Sequence, residues 1–184
     1  KFRGVRHLLH LEPDPDWVTG EAVLESLGLL AAHGFTFEVS VTDVAHLSHV
    51  PLLAERVPGL RLVIPHLGFP PIRERGWQPW ADAFARAAEY PQVAVKLSRL
   101  EQIAGRQSAV TVDLQRYVNH ALETFGPKRM MWASNWPVSL RDGGYSQLLG
   151  NAIATLQMLS AEERDEVLGG TAVRVYGSGL SETQ

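Results

Sequence analysis

The 184-residue chain contains no cysteine. This absence excludes disulfide bonds, thiolate metal sites and a cysteine nucleophile, and it fits the reducing cytoplasm, where we expect the protein to work. The chain also lacks an excess of basic residues, since its formal net charge is −3, and we expect no nucleic-acid partner. No apolar run reaches the roughly 18 residues that a membrane-spanning helix needs, so we expect no membrane partner.

Several catalytic signatures are missing as well. The sequence has no Gly-x-Ser-x-Gly elbow, no phosphate-binding loop and no HExxH motif. No glycine-rich turn follows the first apolar run, which argues against a dinucleotide-binding sheet. A His-x-His pair, the usual start of a metal site in barrel hydrolases, is also absent. The function must therefore be sought in residues scattered along the chain.

Short apolar runs alternate with longer segments that have helical spacing. The pattern predicts strands over residues 2–9, 35–41, 60–65, 92–97 and 129–133. It predicts helices over 21–32, 44–56, 77–90, 111–125, 145–159 and 161–168, and a last short turn over 171–176. A repeated strand–helix order indicates parallel strands covered by helices. No linker or low-complexity stretch interrupts the rhythm, so we expect residues 1–184 to form a single domain.

Two α/β architectures fit this rhythm, an open doubly wound sheet and a (β/α)8 TIM barrel. Polar residues follow the predicted strands, and active sites of barrels lie at these strand ends. We therefore predict a barrel of which this chain holds about the last five strand–helix units, with three strands expected before Lys1. An open arc of five strands has two unpaired edges, which predicts association into a homo-oligomer.

His66 is the sharpest candidate for a catalytic residue. It directly follows the apolar run 60–65, and Gly68, Pro70 and Pro71 shape the loop behind it. An imidazole in this position can ligate a metal, polarise a carbonyl group or carry a proton. A hydrogen-bonded structural histidine is the alternative. Two further histidines, His46 and His49, are expected on the solvent side of the helix over 44–56.

Asn135 follows the last predicted strand and precedes Trp136 and Pro137. The proline disfavours a helical conformation in the residue before it, so the chain leaves the strand abruptly. An asparagine amide can donate a hydrogen bond to an oxyanion or accept one, although it cannot act as a general base. A turn-forming role is the alternative.

Polar pairs on two other strands are candidates for substrate binding. Arg6 and His7 are adjacent in the first strand, so alternation puts only one of them on the inner face. Lys96 and Ser98 are two residues apart and share a face. A buried lysine needs a partner or a role, because an isolated buried charge is costly. Lys96 could orient substrate or pair with an acid from another strand, or it could serve only the structure.

Five segments together resemble one protein family: KFRGVRHLLHLEPDPDW, LRLVIPHLGFPPI, VAVKLSRL, YVNHALETFGPKRMMWASNWPV and GGTAVRVYG. They are similar to the amidohydrolase-related proteins, and within these to the branch of sugar-acid lactonases and 2-pyrone-4,6-dicarboxylate lactonase. The similarity runs along nearly the whole chain. The resemblance implies a barrel hydrolase that opens a lactone of a sugar acid or a dicarboxylate.

The resemblance also implies roles for individual residues. It makes His66 and Asn135 catalytic, with His66 also a candidate ligand for a divalent metal such as zinc, although some relatives work without a tightly bound metal. It assigns substrate contacts to the strand residues and to the loop tryptophan: Arg6, His7, Lys96, Ser98 and Trp136. Many members carry Asp where Asn135 stands, which leaves open a catalytically silent, ligand-binding barrel. A decarboxylase of the same superfamily is a further alternative.

Overall fold

The computed structural model describes residues 2–105, 111–141 and 144–177, without the side chains of residues 111–113. Within them, five parallel strands form one sheet in the order β1-β2-β3-β4-β5. The strands are β1 (Gly4–Leu8), β2 (Thr36–Ser40), β3 (Arg61–Ile64), β4 (Val93–Leu97) and β5 (Met130–Trp132). Sequential order and parallel pairing confirm the prediction of consecutive strand–helix units, and β1 and β5 are the two edges of this sheet.

Helices follow the strands along the chain. They are α1 (Glu21–Ala32), α2 (Val44–Arg56), α3 (Trp80–Ala88), α4 (Leu100–Ala104), α5 (Thr111–Phe125), α6 (Tyr145–Thr155), α7 (Ala161–Asp165) and α8 (Thr171–Tyr176). The predicted helices are present, but two are shorter than expected, over 80–88 and 145–155. The helix predicted over 161–168 is an α-helix over 161–165 that continues as a π-helix over 166–170, and the short turn predicted over 171–176 is α8. The short helix α4 was not predicted, because five residues are too few to show a helical period. In the described part of the chain, no helix is long and apolar enough to cross a membrane.

The sheet has an outer face that packs on the main apolar core and an inner face that packs in part on α8. Successive side chains of a strand point to opposite faces. On the outer face, Val39, Ile64 and Val95 join the main apolar core with residues of α2, α3 and α5. This core holds Trp80, which is fully buried and donates through Nε1 to the carbonyl oxygen of Leu67. The outer face therefore anchors the sheet.

The helix α8 covers part of the inner face. Val63 and Ala94 are register partners on β3 and β4, and Met131 is the partner of Lys96 on β5. The three apolar side chains pack against residues of α8, Val175 among them. The Thr36 hydroxyl, on β2, donates to the carbonyl oxygen of Val175 at 3.2 Å. The helix α8 thus packs on the inner face and, through Tyr176, also reaches Glu38 in the candidate site.

The expectation for two histidines of α2 was wrong. His46 and His49 are 6% and 9% exposed rather than solvent-facing. They occupy the buried side of the helix together with Leu47 and Val50. His49 Nε2 lies 2.8 Å from the carboxylate of Asp16, so a polar loop residue provides a partner for this nitrogen. The sequence pattern could not show that loop contact.

Candidate active site

Three strands end in residues with an unusual backbone conformation. His66, Arg99 and Asn135, which come just after β3, β4 and β5, have φ values of 59°, 63° and 56°. The left-handed region is unfavourable for residues with a β-carbon, and such residues cluster at functional sites. The carboxyl ends of three adjacent strands therefore carry the backbone strain that is typical of an active site.

His66 and Ser98 form the centre of the site. The imidazole Nδ1 lies 2.7 Å from the Ser98 hydroxyl oxygen, and both residues are 5% exposed. The contact joins the loop after β3 to the end of β4, which are neighbours in the sheet. Ser98 therefore fixes the orientation of the His66 ring.

The His66 imidazole is held in its neutral form. Burial lowers its pKa from 6.5 to about 3, and the positive charges of Arg6, Arg99 and Lys96 add to the effect. Burial disfavours the charged form of the ring, and nearby cations repel it. At neutral pH, His66 can thus donate one hydrogen bond from one ring nitrogen and accept one at the other, but it is a poor proton acceptor.

This depressed pKa predicts a stability change with pH. Between pH 6.5 and 3 the unfolded chain binds a proton on His66 that the folded chain does not, so the free energy of unfolding falls as the pH falls. From pH 6.5 to 5 this costs about 2 kcal/mol. Urea unfolding of wild type and His66→Asn should show a flatter pH dependence in the variant. Parallel curves would contradict the buried neutral ring.

Lys96 is paired with an acid from another strand. Its ammonium nitrogen lies 2.5 Å from Glu38 Oε1, and both side chains are largely buried. The Tyr176 hydroxyl of α8 donates to the same carboxylate oxygen, and the Lys96 ammonium lies 5.2 Å from the centre of the Tyr176 ring. Burial and the Glu38 charge raise the pKa of Tyr176, so the hydroxyl stays protonated. We call Glu38, Lys96 and Tyr176 the inner triad.

Arg6 and His7 lie on opposite faces of β1. Arg6 is beside Glu38 in the register of β1 and β2, and its guanidinium donates to the Ser40 hydroxyl at 3.3 Å. His7 Nε2 lies 2.6 Å from Glu12, and its ring stacks on Trp17 with 4.3 Å between ring centres. Arg6 thus belongs to the inner face with the triad, whereas His7 has a separate set of partners.

The loop after β5 presents an amide without a partner. Asn135 Nδ2 is buried and makes no hydrogen bond. The backbone amide of Trp136 donates to the Ser134 hydroxyl at 3.3 Å, while the Trp136 side chain is exposed, as the residue's exposed fraction of 70% indicates. Buried polar groups are normally satisfied, so an unpaired amide in a strand-end loop is a group available to a ligand.

Two cavities open at the strand ends. One of about 130 Å³ is lined by Ser98 and Ser134, and by apolar residues of α5 and α6. The other, of about 490 Å³, lies between the loops after β2 and β3 and is lined by Phe69 and Pro71. Arg99 lines both. The polar strand ends therefore adjoin spaces that a small molecule can enter.

The described side chains do not by themselves form a metal-binding site. Among the described residues, no group of three or more His, Asp or Glu side chains is placed to hold a metal ion. The Nδ1 atom of His66 is already engaged by Ser98. A metal site requires three or four ligands. His66 as a metal ligand stays a prediction.

Three residues of the site were missed by the sequence reasoning: Glu38, Arg99 and Tyr176. Glu38 had a readable signal, because it is a charged residue between Phe37 and Val39 in an otherwise apolar strand. Arg99 and Tyr176 had none. Tyr176 reaches Glu38 across 138 positions of sequence. The partner that was expected for Lys96 is thus found on β2.

Comparisons with known proteins identify the family of the chain. The family model described as Amidohydrolase matches residues 1–178. An L-fucono-1,5-lactonase of Burkholderia ambifaria is 33% identical over 181 residues, which are 96% of this chain and 61% of that protein. A Burkholderia multivorans amidohydrolase, solved with bound zinc, is 32% identical with a TM-score of 0.87, and the match covers 95% of this chain and 64% of that one.

More distant structures share the fold. A Pseudomonas putida protein assigned as a 2-pyrone-4,6-dicarboxylic acid hydrolase is 26% identical with a TM-score of 0.74, over 95% of this chain and 63% of that one. A 5-carboxyvanillate decarboxylase of Sphingomonas paucimobilis is 16% identical with a TM-score of 0.54, over 95% of this chain and 58% of that one, and shows the fold alone.

The chain spans between 61% and 64% of the length of the first relatives it matches. Five parallel strands that superpose on this part of amidohydrolase barrels are consistent with part of a (β/α)8 barrel. The match of the family model over 1–178, together with the 33% identity to the Burkholderia ambifaria protein, shows that the chain belongs to the amidohydrolase family.

Proposed function

We propose that the protein is a hydrolase that opens the ring of a small lactone. The observation that carries the proposal is the buried pair of His66 and Ser98 at the strand ends, in a chain of the amidohydrolase family. The relatives named L-fucono-1,5-lactonase support a sugar-acid lactone, and the protein assigned as a 2-pyrone-4,6-dicarboxylic acid hydrolase supports a dicarboxylate. Both are cyclic esters of carboxylic acids.

His66 supplies an N–H group to the lactone carbonyl in this proposal. The proposal assigns the Ser98 hydroxyl as the donor to Nδ1, which puts the ring proton on Nε2. As water attacks the carbonyl carbon, negative charge develops on the carbonyl oxygen, and a preorganised donor stabilises this charge. The low pKa keeps His66 a neutral donor, the same device by which a neutral histidine polarises a carbonyl in triosephosphate isomerase.

Asn135 and Arg6 assist at other atoms of the substrate. The unpaired Nδ2 of Asn135 donates to the developing oxyanion or holds the attacking water. Arg6, on the inner face of β1, binds a polar oxygen of the lactone.

Lys96 and Ser98 line the same inner face in this proposal, and Trp136 offers an exposed ring for the sugar. His7 lies on the other face of β1, so its proposed substrate contact requires a ligand that reaches around the strand end.

The steps proposed above use side chains of this protein and water. The zinc in the Burkholderia multivorans structure supports a metal-dependent family, and a divalent cofactor such as zinc stays a proposal for this protein. When bound, a metal of this kind polarises a carbonyl or lowers the pKa of water. The described residues alone do not form its site.

We further propose that the five strands work within one eight-stranded barrel domain. Their superposition on the relatives supports this arrangement. Association of copies through the unpaired edges β1 and β5 is a second structural proposal. A cytoplasmic location is supported by the lack of cysteine.

The direct test is acid release by the full-length protein from a panel of lactones that includes L-fucono-1,5-lactone and 2-pyrone-4,6-dicarboxylate. We expect at least one lactone to open faster than its spontaneous hydrolysis, by a factor of at least about 10⁶. If every lactone opens at its spontaneous rate, the protein is not a lactonase of this class.

A second candidate function is a barrel that binds its ligand without turnover. It is favoured by Asn135, since an amide cannot act as a general base, where many relatives are expected to carry an acid. This candidate and the lactonase respond oppositely to one substitution, Asn135→Asp. Asparagine and aspartate both tolerate a φ of 56°, so the exchange leaves the backbone undisturbed.

We expect Asn135→Asp to lower kcat about tenfold or more, because a carboxylate repels the oxyanion that the amide stabilises. Asn135→Gly is the control, since it accepts the same backbone and removes the amide without adding charge. It should lose about five- to tenfold in kcat. A rise with Asn135→Asp, of the roughly 10²–10⁴ that a general base supplies, would instead identify a silenced hydrolase.

A further inference from the structure

Arg99 occupies a position that is costly for an arginine. It follows Ser98 at the end of β4 and has a φ of 63°, in the region that glycine adopts without strain. The conformation persists because surrounding structure holds it. Its place beside Ser98, which contacts His66, brings this strained arginine into the candidate active site.

The guanidinium of Arg99 is held in position by a neighbouring ring, but no acidic side chain among the described residues neutralises its charge. Its central carbon lies 5.3 Å from the centre of the Phe69 ring, a cation–π contact that orients the group. The Nε atom is buried and has no hydrogen-bond partner. Among the described residues, no ion pair involves Arg99. The N–H donors of the Arg99 guanidinium are therefore free to bind an anion.

The other charged residues near the site have partners of their own or line the cavities. Lys96 is neutralised by Glu38 at 2.5 Å. Arg6 donates to the Ser40 hydroxyl. Glu101, on the wall of the smaller cavity, accepts from Asn151 at 3.4 Å, and Asp43 and Glu74 line the larger one. Arg99 lines both cavities, and among the described residues none of these acids forms an ion pair with it.

We propose that Arg99 binds a carboxylate of the substrate, so that the preferred lactone already carries a carboxylate outside the ring. A guanidinium matches a carboxylate with two parallel hydrogen bonds, and Nε supplies one of them. This assignment rests on the proposed lactonase activity and names its substrate class. It separates a carboxylated lactone from a neutral sugar lactone, the class for which the relatives of 33% and 30% identity are named.

The kinetic test uses the full-length protein and two lactones of equal ring size, D-glucaro-1,4-lactone and D-glucono-1,4-lactone, which differ by a carboxylate in place of a hydroxymethyl group. Wild type should prefer the carboxylated lactone. Arg99→Gln should lower the ratio of the two kcat/KM values at least tenfold, and Arg99→Lys should lower it less. Equal loss on both lactones would overturn the proposal.

Two further variants serve as controls, one for the strained backbone at Arg99 and one for the loss of a positive charge. Arg99→Gly accepts a φ of 63° without strain, and it should lower the ratio as Arg99→Gln does. Arg61→Gln removes a positive charge at the opposite end of β3 and should leave the ratio unchanged. A ratio that falls equally in Arg61→Gln would show a general charge effect and contradict the specific role of Arg99.

Binding measured without turnover separates this proposal from the proposed function. Calorimetry with D-glucarate should give binding by wild type that weakens at least tenfold in Arg99→Gln. If no lactone is opened but this loss is seen, the lactonase proposal fails and the carboxylate site stands. If D-glucarate binds wild type and Arg99→Gln equally, or does not bind, the carboxylate site fails whatever the activity.

Discussion

Removal of the His66 side chain is expected to lower kcat for lactone opening by about 10²–10³. The proper variant is His66→Gly, because glycine accepts the φ of 59° that alanine resists. The loss arises because the oxyanion of the tetrahedral intermediate then lacks its preorganised donor. The measurement is steady-state kinetics of the full-length protein on the lactone that it opens best.

Two comparisons decide how His66 acts. His66→Asn keeps a neutral donor in a residue that tolerates the left-handed backbone, so it should retain more activity than His66→Gly. In wild type, His66 should add no ionisation near pH 6.5 to the rate profile, because its pKa lies at about 3. A matched control is His120→Asn on α5, away from the strand ends, which should leave kcat within about twofold. A His66→Gly enzyme with wild-type kcat would contradict the account.

Replacement of Glu38 by leucine is expected to lower the free energy of unfolding by about 3–5 kcal/mol. The change leaves the Lys96 ammonium largely buried without its carboxylate and removes the acceptor of the Tyr176 hydroxyl. An uncompensated buried charge is far more costly than a lost surface pair. Chemical denaturation of the full-length protein gives the value.

A double substitution and a surface pair provide the controls. Glu38→Leu combined with Lys96→Met removes both charges, and it should recover at least half of the loss. The exposed pair of Arg56 and Glu21, at 2.7 Å, should contribute less than about 1 kcal/mol, so Glu21→Ala should change stability little. If Glu38→Leu costs no more than Glu21→Ala, the inner triad does not stabilise the fold.

Much of the fold could be predicted from local patterns. Apolar runs separated by helical spacing predicted the five parallel strands. Alternation placed Arg6 and His7 on opposite faces of β1, where the two side chains have separate partners. These inferences succeed because strand geometry has a fixed period of two, which is independent of the partner strand.

The contacts that define the site depend on distant parts of the chain. His66 meets Ser98 only through the register of β3 and β4 and a left-handed turn, neither of which a sequence pattern encodes. Tyr176 comes from the last described helix. The burial of His49 depends on Asp16 in a loop. Local periodicity carries no information on such pairings, so residue types were identified at the strand ends but their partners were not.

The most direct test of the central claim is hydrolysis of a lactone by the full-length protein in ¹⁸O-labelled water, followed by mass spectrometry of the product. The account predicts that the open-chain acid gains one labelled oxygen in its carboxylate, with no loss of carbon dioxide. The rate should be far above the spontaneous one in wild type and should be reduced by about 10²–10³ in His66→Gly. Formation of labelled acid only at the spontaneous rate, or release of carbon dioxide instead, would contradict a lactonase site built on His66 and Ser98.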